Sequence, residues 1–172
     1  MIKQDLKPTE YNEYYESYIA KIPNETRLIS GLELDESMVI NFFSSIPKDK
    51  LEYRYLPEKW SPKEILQHLI DTERIFMYRL LRIARKDTTE LAGFDQDIYI
   101  NPSKASSKSL ESLIQEFTVT RMYSINLIRS ISDENLLNIG SASNSKVSAR
   151  ACAFILLGHS IWHIDIIKER YL

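Results

Sequence analysis

Glycine is scarce in this chain, four residues in 172, and cysteine occurs once, as Cys152. So little glycine disfavours a turn-rich β fold, and no Gly-rich segment is present to cradle a phosphate. A single thiol excludes an intramolecular disulfide and fits a reducing compartment, so a cytoplasmic location is expected. Cys152 stands among apolar neighbours, where thiols are usually inert. A basic stripe is also missing. The formal net charge is −2, and nothing electrostatic asks for nucleic acid as a partner. The first eight residues, Met1 to Pro8, lack the apolar core of a signal peptide. The longest apolar run, around Ala151–Leu157, is too short to span a bilayer, so no membrane partner is expected. Histidine is rarer still than glycine: only His68, His159 and His163 occur.

What is present is helical periodicity. The length and a 44% hydrophobic content suit a single domain, residues 1–172, with a sizeable core. Residues 1–22 form an N-terminal arm whose tyrosines at 11, 14, 15 and 18 fit one short amphipathic helix laid on the bundle. Asn24 is a candidate N-cap for helix A, whose stripe of Leu28, Leu32, Val39, Phe42, Phe43 and Ile46 closes before Pro47. Helix B has the clearest start. Ser61 caps it, Pro62 takes the first helical position, Glu64 completes a capping box, and Trp60 is placed to pack back on Ile65. His68, Thr72, Ile75 and Arg79 continue the inward stripe from Ile65.

Residues 86–107 then make a long link. Links of that length are functional or crossovers more often than not, and a crossover lets helices B and C run parallel in a four-helix bundle. Helix C turns Leu110, Leu113, Ile114, Phe117, Ser124, Leu127, Ile128 and Ile131 inward. A polar segment, Gly140–Lys146, leads to helix D, capped by Ser148. The segment from Ser45 to Leu51 resembles that from Ser130 to Leu136, a short internal repeat that would set helices B and D facing each other.

Helix D carries the chemistry. The stretch from Ala151 to Ile167 is apolar nearly throughout, so as a helix it must be buried on most faces. It nevertheless holds His159 and His163 four residues apart, on one face and about 6 Å apart at their bases. That spacing suits two ligands of one metal ion. A lone core histidine commonly just bonds a carbonyl, but here a third histidine, His68, sits on a second buried stripe. Three imidazoles with open coordination positions serve chemistry more often than structure.

The stretch Trp60–Arg74, the run from Gly93 to Asp97, and the segment from Gly158 to His163 with the ending Lys168–Leu172 resemble the DinB/YfiT-like superfamily. The resemblance implies an all-α, four-helix bundle of up-down-down-up order with one long crossover. It also implies zinc or nickel bound by His68, His159 and His163. Members of that family include S-transferases that use low-molecular-weight thiols such as bacillithiol or mycothiol, and metal-dependent hydrolases. The resemblance therefore implies a small-molecule thiol and an electrophile as partners, and it admits a homodimer. One departure is Trp162, where related chains often have a further histidine.

A His₃-bound ion lowers the pKa of water and ionises a thiol. The leading expectation is thus a metal-dependent thiol S-transferase. The alternatives are a hydrolase that uses water, a stress-response bundle in which the metal is only structural, and histidines that hold no metal. No catalytic side chain is singled out. Asp71, Asp95, Asp97 and Trp162 are candidates to orient the imidazoles or meet substrate, with Glu73 and Asp165 behind them. A structural salt bridge is the expected role of Arg150.

Overall fold

Serine hydroxyls start three of the four long helices. The computed structural model describes residues 1–172. In chain order its helices are α1 (Glu16–Ile19), α2 (Leu28–Ser45), α3 (Pro62–Ala84), α4 (Asp97–Ser103), α5 (Leu110–Arg129), α6 (Asp133–Leu136) and α7 (Ala149–Arg170). A hairpin of β1 (Ile139–Ala142) and β2 (Ser145–Ser148) leads into α7. Ser61, Ser109 and Ser148 each accept from the backbone N–H three residues on. Each thereby satisfies a donor that the first helical turn leaves free. The Glu64 carboxylate returns the favour at the Ser61 amide, 2.8 Å away.

Contacts at the helix ends set the directions. Lys63, at the start of α3, donates to the Ser106 carbonyl just ahead of α5, so these two helices run parallel. Tyr171, at the end of α7, donates to the Trp60 carbonyl ahead of α3, so α7 runs against them. Arg129, at the end of α5, pairs with Glu33 near the start of α2. The result is a four-helix bundle of up-down-down-up order. Both α2 and α3 pack on α5 and α7, which puts these two consecutive helices at opposite corners.

The apolar core falls into two clusters. One gathers Leu28, Leu32, Phe76, Leu80 and Phe154; the other gathers Val39, Phe43, Leu66, Ile70, Phe117 and Ile167. Between them crosses a buried polar layer. Arg121 on α5 donates from Nε and Nη2 to Glu73 on α3 at 2.9–3.1 Å, and from Nη1 to Asp35 on α2 at 2.7 Å. Ser160 on α7 donates to the other oxygen of Asp35. One residue from each long helix therefore meets in this layer. Such a network is favourable only when every member is satisfied, because the low dielectric strengthens good pairs and penalises orphans alike.

Several expectations need correcting. Asn24 does not cap a helix: its side chain accepts from Lys3, and α2 starts later, after Arg27. The arm is a succession of 3₁₀ turns ending in the one-turn α1, not a single amphipathic helix. It is pinned by buried Glu10, which pairs with Arg150 and accepts from Ser148. The long link 86–107, expected as a crossover, contains α4 and bridges Leu91 to Ala142. The polar segment before helix D is a β-hairpin. Ser143 and Asn144 both have positive φ, as the two central residues of a tight hairpin turn with native twist require. As a whole, α7 is long and apolar enough to cross a membrane, but most of it is the buried core helix of the bundle.

Candidate metal centre

The three histidines converge at the edge of the polar layer. His68 comes from the second turn of α3; His159 and His163 come from successive turns of α7. Nε2 of His159 lies 3.0 Å from Nε2 of His68 and 2.9 Å from Nε2 of His163. All three candidate ligand atoms fall within 4.8 Å of one another, and all three residues are buried. Two ligands of a tetrahedral ion with bonds of about 2.0–2.1 Å stand roughly 3.3 Å apart. The two close spacings, 2.9 and 3.0 Å, fall a few tenths of an ångström short of that value.

Electrostatics suit the same role. Burial lowers the pKa of His68 to about 4. Burial, and then the neighbouring imidazoles, hold His159 and His163 well below the ordinary histidine range. All three rings are therefore neutral at pH 7, the form that ligates metal. Neutral rings crowded nitrogen to nitrogen cannot all satisfy one another: His159 Nε2 faces two neighbours and has at most one hydrogen to give. A cation at their centre would use all the lone pairs.

Each ring is also backed by an aromatic one. Trp60 lies 4.7 Å from His68, Tyr18 5.2 Å from His159, and Trp162 4.8 Å from His163, centroid to centroid. Trp60 thus covers a histidine, a role beyond the contact expected with Ile65. The Thr72 hydroxyl is 3.4 Å from Nδ1 of His68, which leaves Nε2 of that ring for the shared point.

The remaining candidates divide. Asp95 and Asp97 stand on the rim of a cavity that reaches His159, and Trp162 lines a second cavity that reaches His68 and His163. Asp71 does not join them; it bonds Gln67 and Arg74 on another face of α3. Glu73 belongs to Arg121, and Asp165 to Lys21 at the surface. Arg150 holds Glu10, the structural pairing expected of it. Cys152 is fully buried, and burial pushes its thiol up to about 12, the environment of an inert thiol.

Thr72, Tyr18 and Trp60 are the site residues that the sequence did not mark as such. Thr72 had a visible signal, one turn beyond His68 on the same stripe. For Tyr18 no signal exists, because the arm's path cannot be read from its composition.

The two cavities are about 400 and 500 Å³ and share Tyr14, Tyr18, Gln96 and Asp97. Together they reach all three histidines, so the centre opens on two chambers. Comparison with known proteins gives matches of two kinds. The family model of the DinB superfamily matches residues 32–167. The solved structure of YfiT from Bacillus subtilis is similar, with a TM-score of 0.73 at 14% identity over 86% of this chain and 90% of that one. YfiT is described as a probable metal-dependent hydrolase with an unusual four-helix bundle topology. No curated protein sequence matches the chain.

Proposed function

We propose that the chain, which belongs to the DinB superfamily, is a metal-dependent enzyme that transfers a small-molecule thiol to an electrophile. The observation that carries this reading is the pair of chambers meeting at three neutral imidazoles. A two-substrate reaction needs room for a nucleophile on one side of the centre and an acceptor on the other. His68, His159 and His163 would hold the ion, zinc by preference, since imidazole donors suit zinc and nickel alike and zinc accepts a tetrahedral site without further demands. When bound, such an ion acts as a Lewis acid that makes a thiol or water acidic enough to ionise near neutral pH.

The chain's own groups do the rest. Thr72 engages Nδ1 of His68, and the aromatic backing of Trp60, Tyr18 and Trp162 keeps the rings in place and sheds water from them. Asp97, which lines both chambers at the rim, would be the carboxylate that accepts the proton a thiol gives up. The hydrolase is the second reading, favoured by the likeness to YfiT.

The test uses protein purified without a histidine tag and loaded with zinc. A low-molecular-weight thiol and monochlorobimane are mixed with it, and conjugation is followed by fluorescence. Conjugation above background, saturable in thiol and abolished by a chelator, is expected. Metal-dependent ester or amide hydrolysis with no thiol dependence would replace the transferase with the hydrolase.

A further inference from the structure

Arg79 is a charged side chain that nothing above puts to use. It continues the inward stripe of α3 about three turns beyond His68, and it is 3% exposed. Its Nη2 donates to the Ala92 carbonyl and the Ser143 hydroxyl, both at 2.9 Å. Its Nε has no acceptor, and it is the one buried side-chain nitrogen or oxygen in the chain in that condition. The other buried arginines are ion-paired, Arg121 with Glu73 and Asp35, and Arg150 with Glu10. Arg79 has no such partner. Exposed Glu90 feels its charge but is engaged with the Asn144 amide, and the Tyr15 phenol stands near without bonding Nε.

The guanidinium lies against Phe76 and Phe94, 5.2 and 5.6 Å from the ring centroids. All three line the 400 Å³ chamber that also contains His159. A buried donor without an acceptor is costly, and a buried cation without a counter-charge more so. A ligand that brings both an acceptor and a negative charge into this chamber removes the two costs together. Asp95 and Asp97 stand at the exposed rim of the same chamber and neither pairs with Arg79. Their charge repels a phosphate dianion more than a singly charged carboxylate.

We propose that Arg79 binds the carboxylate of the substrate thiol, which makes the substrate class a small thiol carrying a carboxylate group. The inference rests on the proposed function for the choice of a thiol, while the anion site itself stands on Arg79 alone. The carboxylate would sit beside Arg79, and its sulfur would extend toward His159, which lines the same chamber.

N-Acetylcysteine and N-acetylcysteamine test this directly, because they differ only in a carboxylate. Calorimetric titration of the zinc-loaded and the chelated protein with each thiol is the measurement. In both forms N-acetylcysteine should bind about tenfold more tightly, as a charge-assisted pair allows. Arg79→Gln should erase that preference while leaving N-acetylcysteamine affinity unchanged, and Arg79→Lys should restore part of it. Equal affinities in the unmutated protein would overturn the proposal, and this arm needs no variant to fold. A preference that persists in folded Arg79→Gln would overturn it too, leaving Arg79 as a clamp between Ala92 and Ser143. Inorganic phosphate at matched concentration should not compete; competition would sink the choice of a carboxylate. A carboxylate preference without any conjugation by the loaded enzyme would keep the Arg79 site and retire the transferase. Conjugation at equal rates and affinities for both thiols would do the reverse.

Discussion

Ser160 donates a 2.7 Å hydrogen bond to Asp35, and Ser160 directly follows His159 on α7. The bond joins the helix that carries two of the three histidines to the buried charge of Arg121. Burial pushes the Asp35 carboxyl up, against the pull of Arg121 and Ser160. Burial also opposes the charge on Arg121, but Glu73 and Asp35 more than offset it and hold that guanidinium protonated.

Removing the cation should therefore be severe. Arg121→Met leaves two buried carboxylates without their partner and should cost about 3–5 kcal/mol. Ser160→Ala removes one neutral donor to a charged group and should cost ~1–3 kcal/mol. Urea unfolding monitored by circular dichroism would give both values. Equal and small losses would mean that the layer is not held by Arg121.

The metal centre predicts close to one divalent ion per chain, measured by elemental analysis of protein made without a tag. His68→Ala, His159→Ala and His163→Ala should each lose it. The chelated chain should keep its helical spectrum and a cooperative melt, because apolar clusters on both sides of the polar layer survive without the ion. Its melting temperature should fall, since an ligand bound only by the native state stabilises that state. A chelated chain unfolded at room temperature would make the ion a structural staple.

The histidines also set an acid limit on the chelated protein. Their folded pKa values lie below the unfolded value, about 4 for His68 and well below 6.5 for the other two. Between those values the unfolded chain binds more protons than the folded one, so stability rises with pH. The contribution is complete above about 6.5 and is lost as pH falls toward 4. Melting temperature followed from pH 7 to pH 4 in the presence of chelator should fall steadily. Alanine at His68 should flatten the slope.

Catalysis should not need the chain's own sulfur. Cys152→Ser places a hydroxyl in an apolar site and should cost about 1–3 kcal/mol, yet thiol transfer at low temperature should stay within about twofold. His163→Ala should abolish it. The opposite pattern in the conjugation assay would move the chemistry to Cys152.

Gly158→Ala tests how the arm is seated. A Cβ at this position would run into the carbonyl of Tyr18, which is backbone and cannot swing aside. The arm should lift from α7, becoming sensitive to limited proteolysis around Tyr18, while metal content stays near one per chain. Unchanged protease resistance would mean that the arm tolerates the added methyl.

Much of this was readable in the residues. The Ser61, Pro62 and Glu64 start, the Ser148 cap and the three histidines are local signals, each set by spacing along one helix. Asp35, Glu73 and Arg121 are not. In sequence each is a lone charge on a helix, indistinguishable from a solvated one, and its burial depends on partners 48 or 86 positions away. Arg79 lay between these cases, because a charge on an inward stripe is a visible anomaly whose meaning needs the cavity. The arm and the hairpin went unread for a simpler reason. Their geometry comes from backbone bonds to distant segments, such as Lys3 to Thr26 and Leu91 to Ser141, and from a Ser-Asn turn that lacks the usual glycine.

The contact of Gly158 with Tyr18 joins two separately built parts of the site. The histidines are carried by α3 and α7, whereas one wall shared by both chambers, Tyr14 and Tyr18, belongs to the arm. A glycine on the helix offers the arm a flat berth rather than a shaped socket. The wall can then be recut by changes in the first twenty or so residues without moving a ligand atom. Replacing the arm would then reshape both chambers while the histidines on α3 and α7 stay where they are.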